Sequence, residues 1–116
     1  MFGALVRLCG LSAGQAAIYL GVPRRSVVAW LQDESDPPKE IFQKLYELHD
    51  AQEAEVDRII NGWEAAGRPP QVNYRIAADD AAARAAGWPS VASQMTAVAR
   101  AQATLTEVAF AFVKDA

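Results

Sequence analysis

Two adjacent arginines, Arg24 and Arg25, follow Gly21 and Pro23 at the start of a predicted helix. A guanidinium group carries its N–H donors in a planar fork, which can bind a carboxylate, a phosphate or the O6 and N7 edge of guanine through two hydrogen bonds. A loop that only had to stay hydrated would not need this pair. The chemistry and position of the two residues therefore indicate recognition of an anionic partner.

Charge is distributed unevenly along the chain. The net charge of the 116 residues is −3, yet residues 1–32 contain three arginines and no acidic residue. Residues 33–116 carry 8 basic and 14 acidic side chains, a balance of −6. This asymmetry favours a polyanion-facing surface near the N-terminus. Because three arginines form a small basic surface, we expect one copy to bind DNA weakly at physiological salt.

Two short helices are predicted on either side of Gly21. Ser12 and Gln15 form a capping-box pattern, which predicts the start of a helix over residues 13–20. Gly21 suits the left-handed position after a helix, because glycine adopts it without steric cost. Pro23 suits the start of the next helix, where no backbone hydrogen bond is lost.

The two helices form a predicted helix-turn-helix arrangement. Ala17 is small enough to let them cross closely, and Val27 and Trp30 fall on the side of the second helix that faces back toward the core. Arg24 and Arg25 then lie on the first turn of the second helix. The predicted fold class is mainly α, with this arrangement at the N-terminal end.

The segment LSAGQAAIYLGVPRRSVVAWL, residues 11–31, resembles the phage-repressor-like (Xre/Cro-type) helix-turn-helix family. The shared pattern is an opening Leu-Ser, a mid-helix alanine, Leu-Gly-Val, and an aliphatic residue three positions before a tryptophan. The resemblance covers residues 2–36 and implies a second helix that enters the major groove of DNA. Ala13 departs from the family pattern, which often has a polar residue there that touches phosphate.

The resemblance also implies roles for individual side chains. The residues expected to read bases are Arg24, Arg25, Ser26, Val28 and Gln32. The residues expected to contact phosphate are Arg7, Ser12 and Tyr19. Each bidentate contact between arginine and guanine contributes roughly 1–3 kcal/mol of base discrimination. The alternative is that Arg24 and Arg25 are a solvated pair on a purely structural three-helix unit.

Composition divides the chain into three regions. The acidic, proline-containing segment DESDPP marks the first boundary, and Gly67 with Pro69 and Pro70 ends the long helical pattern that follows. The predicted regions are a helix-turn-helix DNA-binding region over residues 1–38, a long connecting helix over 39–68 and a dimerisation region over 69–116.

The dimerisation region is predicted from two features. Residues 71–76 alternate as one short β-strand with no evident partner, which would leave its backbone unpaired. Apolar residues recur near a 3.5-residue period from Val91 to Phe112, which predicts a helix too two-sided to pack within one chain. A symmetric homodimer would satisfy both features. The residues expected near the centre of its interface are Tyr74, Met95, Val98 and Leu105.

The second half of the chain adds a further resemblance. A long helix, the segment GRPPQVNYR and a helix opening with GWPSVASQMTAVA resemble the small anti-CRISPR-associated helix-turn-helix repressors and their uncharacterised relatives. The matching residues are Gly67, Arg68, Pro69, Tyr74, Gly87 and Trp88. This resemblance implies a dimer that represses its own operon in a phage or another mobile element.

No residue pattern predicts catalysis. His49 has no companion at metal-ligand spacing, Cys9 has no second thiol, and Asp79 with Asp80 fits the acidic start of a helix. We therefore expect no enzyme activity, no metal and no cofactor. Aromatic residues in the second half would fit a small-molecule pocket, but core or interface packing is the favoured use, so an effector is not expected.

These observations predict a sequence-specific transcriptional regulator, an autoregulatory repressor that binds an inverted-repeat operator in double-stranded DNA as a homodimer. One alternative is an antitoxin or adaptor whose C-terminal half binds a protein partner. Another alternative is a helix-turn-helix that is retained only for its structure, which the departure at Ala13 would indicate. Since the sequence shows a lone cysteine, no signal-peptide pattern and no apolar run of ~20 residues, we expect a cytoplasmic protein with no membrane partner.

Overall fold

The computed structural model describes residues 1–115, which form six helices and one two-stranded sheet. The elements in chain order are α1 Phe2–Leu8, α2 Ala13–Leu20, α3 Arg24–Leu31, α4 Lys39–Ala65, β1 Gln71–Ala77, α5 Asp80–Ala85, α6 Val91–Thr104 and β2 Ala109–Asp115. The prediction of a mainly α chain with a short β element is confirmed. Among these residues no single helix is long and apolar enough to cross a membrane, and α1 with α2 passes that test only as a pair bent by 94°.

The first core lies where the three N-terminal helices meet the first half of α4. Its buried side chains include Leu5, Leu20, Val27 and Leu45. The ring of Phe2 lies edge-on to Trp30 at 5.5 Å and to Phe42 at 6.3 Å between centroids. Because these rings belong to α1, α3 and α4, Phe2 fixes α3 against two other helices.

The second core lies between the last half of α4, β1 and α6. Its buried side chains are Val56, Ile59, Tyr74, Ile76, Ala97, Val98 and Ala101. Ala97 and Ala101 have no exposed surface, and their small side chains allow α6 to lie close to α4. Alanine side chains bury little area per residue. The close approach of the two helices therefore provides the packing of the second core.

The C-terminal segment differs from its prediction. β1 confirms the predicted strand, but it has a partner within the chain, because β2 pairs with it in parallel from Gln71↔Ala109 to Ala77↔Asp115. The prediction of helix as far as Phe112 was wrong, since α6 ends at Thr104 and β2 begins at Ala109. Parallel strands require a long crossover, which α5 and α6 supply. Because β1 pairs within the chain, an unpaired strand no longer supports the predicted dimer.

A buried glutamine joins the two cores. Gln52 interrupts the apolar stripe of α4 and has no exposed surface. Its Nε2 donates to the carbonyl oxygens of Cys9 at 2.9 Å and Ser93 at 3.0 Å. Arg100 on α6 adds a bond from its Nη2 to the carbonyl oxygen of Leu8 at 2.9 Å. Polar groups from α1, α4 and α6 thus meet at one point between the cores.

Candidate nucleic-acid interface

The turn between α2 and α3 sets the direction of α3. The capping box is confirmed: Ser12 Oγ accepts from Gln15 N at 3.1 Å, and Gln15 Oε1 accepts from Ser12 N at 2.9 Å. The helix ends at Gly21, whose φ of +69° is the left-handed conformation. Pro23 is the N-cap of α3, with φ −62°. Glycine is favoured at this turn because other residues pay a backbone strain there.

α3 buries one face and exposes the other. Val27 has no exposed surface, and Trp30 packs partly against the first core. On α2, Ala17 is buried where the two helices pack together. Arg24 and Arg25 are both exposed on the first turn. The packing of the buried face therefore holds the two guanidinium groups on the outer surface of the helix.

The N-terminal arginines are also free of acidic partners. Three arginines beyond α3 each form an ion pair with a glutamate: Arg58, Arg68 and Arg100. Within residues 1–115, no ion pair involves Arg7, Arg24 or Arg25. Their donors are thus available to a phosphate or a base edge without first breaking an internal salt bridge.

The other predicted base-reading residues share α3 with the arginine pair. Arg24, Val28 and Gln32 are four residues apart, so they follow one face of the helix. Gln32 is exposed, whereas Ser26 and Val28 are half-buried. The exposed part of this face is therefore polar at both ends, with a partly covered aliphatic side chain between them.

The end of α3 leads into an acidic loop. Asp33 has a φ of +57°, and Glu34 N donates to the carbonyl oxygen of Ala29 at 2.9 Å, which closes the helix. The side chains of Asp33, Glu34 and Asp36 are all exposed. Since carboxylates repel phosphates, the first turn of α3 is better suited to a nucleic acid than its last turn.

Two of the three predicted phosphate contacts are accessible. Arg7 is exposed on the last turn of α1. Ser12 is exposed at the N-terminus of α2, where backbone N–H groups favour an anion. Its oxygen already caps the helix, but its hydroxyl hydrogen is still able to donate.

Tyr19, the third predicted phosphate contact, forms hydrogen bonds within the chain. Its hydroxyl donates to the carbonyl oxygen of Lys44 at 3.1 Å, and Lys44 Nζ donates to the carbonyl oxygen of Tyr19 at 3.3 Å. Burial, followed by the carboxylate of Glu47, raises the pKa of Tyr19. The side chain therefore connects α2 to α4, and its only hydroxyl hydrogen is engaged within the chain.

The residues predicted at a dimer centre lie inside one chain. Tyr74, Val98 and Leu105 are 4%, 0% and 8% exposed, and Met95 packs partly buried against the second core. The apolar periodicity marked buried residues, but the structure buries them against elements of the same chain. Any interface between two copies must therefore use other surfaces.

A groove of about 570 Å³ lies between the last half of α4 and β1. On its wall, Tyr74 Oη donates to Glu55 Oε2 at 2.6 Å and accepts from Gln94 Nε2 at 3.2 Å. Burial and the bond to Glu55 raise the pKa of Tyr74 to about 12. Burial raises the pKa of Glu55, but hydrogen bonds from Arg58 and Tyr74 outweigh this effect and lower the pKa. The hydroxyl of Tyr74 and the carboxylate of Glu55 thus have their hydrogen-bond partners within the groove wall.

Cys9 and His49 are the remaining side chains that the sequence analysis weighed as reactive groups. Cys9 is buried, its Sγ donates to the carbonyl oxygen of Leu45 at 3.7 Å, and burial raises the pKa of its thiol. His49 is half-buried on α4, and its Nε2 lies 3.9 Å from Glu53 Oε1. In the described part of the chain, no three potential metal ligands lie together.

No protein-family model matches this chain, and no curated protein matches it either. The likeness of residues 11–31 to the Xre/Cro-type family therefore stays a prediction. Function has to be inferred from the exposed face of α3 and from the surfaces around it.

Proposed function

We propose that this protein is a sequence-specific DNA-binding regulator that represses its own operon, binding an inverted-repeat operator as a homodimer. The observation that carries the proposal is the pair of exposed, unpaired arginines on the first turn of α3. The major groove of B-DNA admits an α-helix, and arginine is the side chain that most often reads guanine there. In this orientation the N-terminal residues of α3 contact base edges.

The small number of basic residues explains why two copies are needed. Each phosphate neutralised on duplex DNA contributes about −0.9 to the slope of log affinity against log salt. With Arg7 as the one arginine expected to contact phosphate, one copy reaches a slope of about −0.9, which is typical of weak binding. Two copies on half-sites ~34 Å apart double that number and require an operator with two-fold symmetry.

A repressor of this kind works where the DNA is, so we propose a cytoplasmic location with no membrane partner, metal, cofactor or effector. Regulation then depends on the amount of the protein itself, because an autoregulatory repressor closes its own operon as it accumulates. Cys9 fits a reducing compartment, since it is the one cysteine of this sequence and its thiol is buried.

The test compares single arginine substitutions in binding to the DNA upstream of the protein's own gene. Arg24→Ala and Arg25→Ala are each expected to lower the preference for this DNA over random DNA by roughly 5- to 150-fold for each half-site bound. Arg84→Ala is the matched control, because Arg84 is exposed and has no ion pair among residues 1–115 but lies on α5. Full preference in both α3 variants would contradict base reading by the pair.

A protein-binding adaptor is the second candidate, favoured by one observation. Phe112 and Val113 on β2 are 42% and 50% exposed, so two large apolar side chains lie next to each other in sequence on one exposed strand. On this alternative, β2 would bind another protein and the arginines would be solvated. Substitution of Arg24 or Arg25 would then leave every binding activity of the protein unchanged.

A further inference from the structure

The outer edge of β2 is open along its length. In a parallel pair, alternate residues direct their N–H and C=O groups toward the partner strand. Ala109 N donates to the carbonyl oxygen of Pro70 at 3.0 Å, so the odd-numbered residues of β2 face β1. The backbone groups of Phe110, Phe112 and Lys114 therefore point outward. Within residues 1–115, no hydrogen bond joins these outward groups to another element.

The other edge of the sheet is covered. Gln94 of α6 lies along β1, where its Oε1 accepts from Ala77 N at 3.1 Å and its Nε2 donates to the carbonyl oxygen of Arg75 at 3.3 Å. The side-chain amide thus substitutes for a neighbouring strand. Proteins commonly cover or charge the edges of their sheets, because an open edge pairs with other strands. β2 has no comparable cover, since β1 is the only described element that packs extensively against it.

The open edge also carries apolar side chains. Phe112 and Val113 are the exposed ones, on opposite faces of the strand. The ring of Phe112 lies edge-on to Tyr74, at 6.4 Å between centroids, so it sits at the rim of the second core. A further strand beside β2 would cover this ring and extend that core. A two-stranded sheet with such an edge has little stability of its own.

The exposed area of the chain exceeds that of a compact monomer of the same mass. The accessible surface is 6798 Å², against about 6,200 Å² expected for a compact monomer of this mass. The radius of gyration is 15.7 Å, against about 13 Å expected for this length. The excess area, about 600 Å², belongs to the chain as a whole, whose extents are 50 × 28 × 18 Å.

We propose that two copies of this chain pair through β2, antiparallel about a two-fold axis at Phe112, to form a continuous sheet in the order β1-β2-β2-β1. Phe112 is the midpoint of Ala109–Asp115, so this register pairs the strand over its full length. It places Phe112 opposite Phe112 of the partner subunit and Phe110 opposite Lys114 of the partner subunit. These are the residues whose backbone groups point outward, and they fall at hydrogen-bonded positions. No two like charges lie opposite each other.

This interface rests on the proposed function for its biological purpose. A two-fold axis through β2 would also relate the two α3 helices of the dimer. An inverted-repeat operator requires that symmetry. The pairing itself does not involve α3 or DNA, so it is tested on the full chain in the absence of DNA.

The first test is a pair of cysteine substitutions at neighbouring positions. Phe112→Cys places two thiols at opposed positions with Cα atoms about 5.5 Å apart, within the range of a disulfide. Val113→Cys lies diagonal to its own copy at about 7–8 Å, beyond that range. Under mild oxidation we expect a disulfide-linked dimer from Phe112→Cys and none from Val113→Cys. Equal linking at the two positions, or no linking at position 112, would overturn the register.

The second test is the mass of the full chain in solution. Phe112→Lys sets two like charges across the axis, and Tyr46→Lys is a matched control on α4, because Phe112 and Tyr46 are 42% and 43% exposed. We expect a mass of about 25 kDa, twice 12.5 kDa, for the unaltered chain and Tyr46→Lys, and half that for Phe112→Lys. A monomeric unaltered chain, or a dimeric Phe112→Lys, would overturn the pairing. Neither result bears on α3, which the arginine variants test separately.

Discussion

The side-chain amide of Gln52 donates a hydrogen bond to the carbonyl oxygen of Cys9 at 2.9 Å, and this bond connects α4 to the end of α1. The same nitrogen reaches the carbonyl oxygen of Ser93 on α6 at 3.0 Å. One buried amide therefore satisfies two main-chain acceptors that are 84 positions apart in the sequence, residues 9 and 93. The orientation of the N-terminal helices relative to the sheet depends on this joint.

Replacing Gln52 by leucine is expected to destabilise the fold. Leucine fills a similar volume, but it leaves the buried carbonyl oxygens of Cys9 and Ser93 without this donor. Loss of a partner for a buried polar group costs about 1–3 kcal/mol each. Urea unfolding measures the change, with Gln43→Leu on the exposed side of α4 as the control. Equal unfolding midpoints for the two variants would show that the amide does not hold the joint.

The stability of the second core is expected to decrease at high pH. The pKa of Tyr74 is raised from 10.0 to about 12 by burial and by its bond to Glu55. Between these two pH values the folded chain keeps the Tyr74 proton, whereas the unfolded chain loses it. The contribution of this proton to the unfolding free energy is therefore complete below pH 10 and is lost as the pH rises to about 12. Tyr74→Phe removes the titrating group. The difference in unfolding free energy between the two proteins should shrink across this window, and a constant difference would contradict the assignment.

The N-terminal elements could be predicted because their signals are local. Ser12 and Gln15 are three residues apart, and Gly21 acts through its own backbone angle. These interactions form within one turn of chain, so the sequence pattern and the structure agree. The exposure of Arg24 and Arg25 follows from the same turn, because the buried Val27 fixes which side of α3 faces inward.

The C-terminal strand could not be predicted in this way. Residues 105–108, LTEV, contain no glycine or proline to mark the end of α6, and the apolar spacing through Phe112 also fits a helix. The partner of β2 lies 38 residues earlier in the chain, from Gln71↔Ala109. Parallel pairing at that distance leaves no short-range signal. Apolar spacing identified Val98 and Leu105 as buried, but it carries no information on whether the neighbour is the same chain or a second copy.

The salt dependence of operator binding is expected to separate the roles of two arginines. Arg7→Ala should lower affinity equally for all sequences and reduce the slope of log affinity against log salt by about 1.8 for a dimer, two lost phosphate contacts at about 0.9 each. Arg24→Ala should instead reduce the preference for the operator. Binding titrations over a range of salt concentrations measure both quantities. A change in sequence preference in Arg7→Ala would place that side chain at a base.

The acidic end of α3 is expected to weaken DNA binding in the unaltered protein. Asp33 lies two residues after the end of the helix that carries the arginines proposed to read bases, and its φ is +57°. Asp33→Asn removes the charge, and asparagine tolerates this backbone conformation. A carboxylate at a helix C-terminus is also unfavourable toward the helix dipole, so the fold should not suffer. Affinity for the operator is therefore expected to rise severalfold at low salt, and the gain should fade as salt screens the repulsion. Asp57→Asn on the exposed side of α4 is the control for a change in total charge. If both substitutions raise affinity equally, the effect belongs to net charge and α3 is not the side of the molecule that faces DNA.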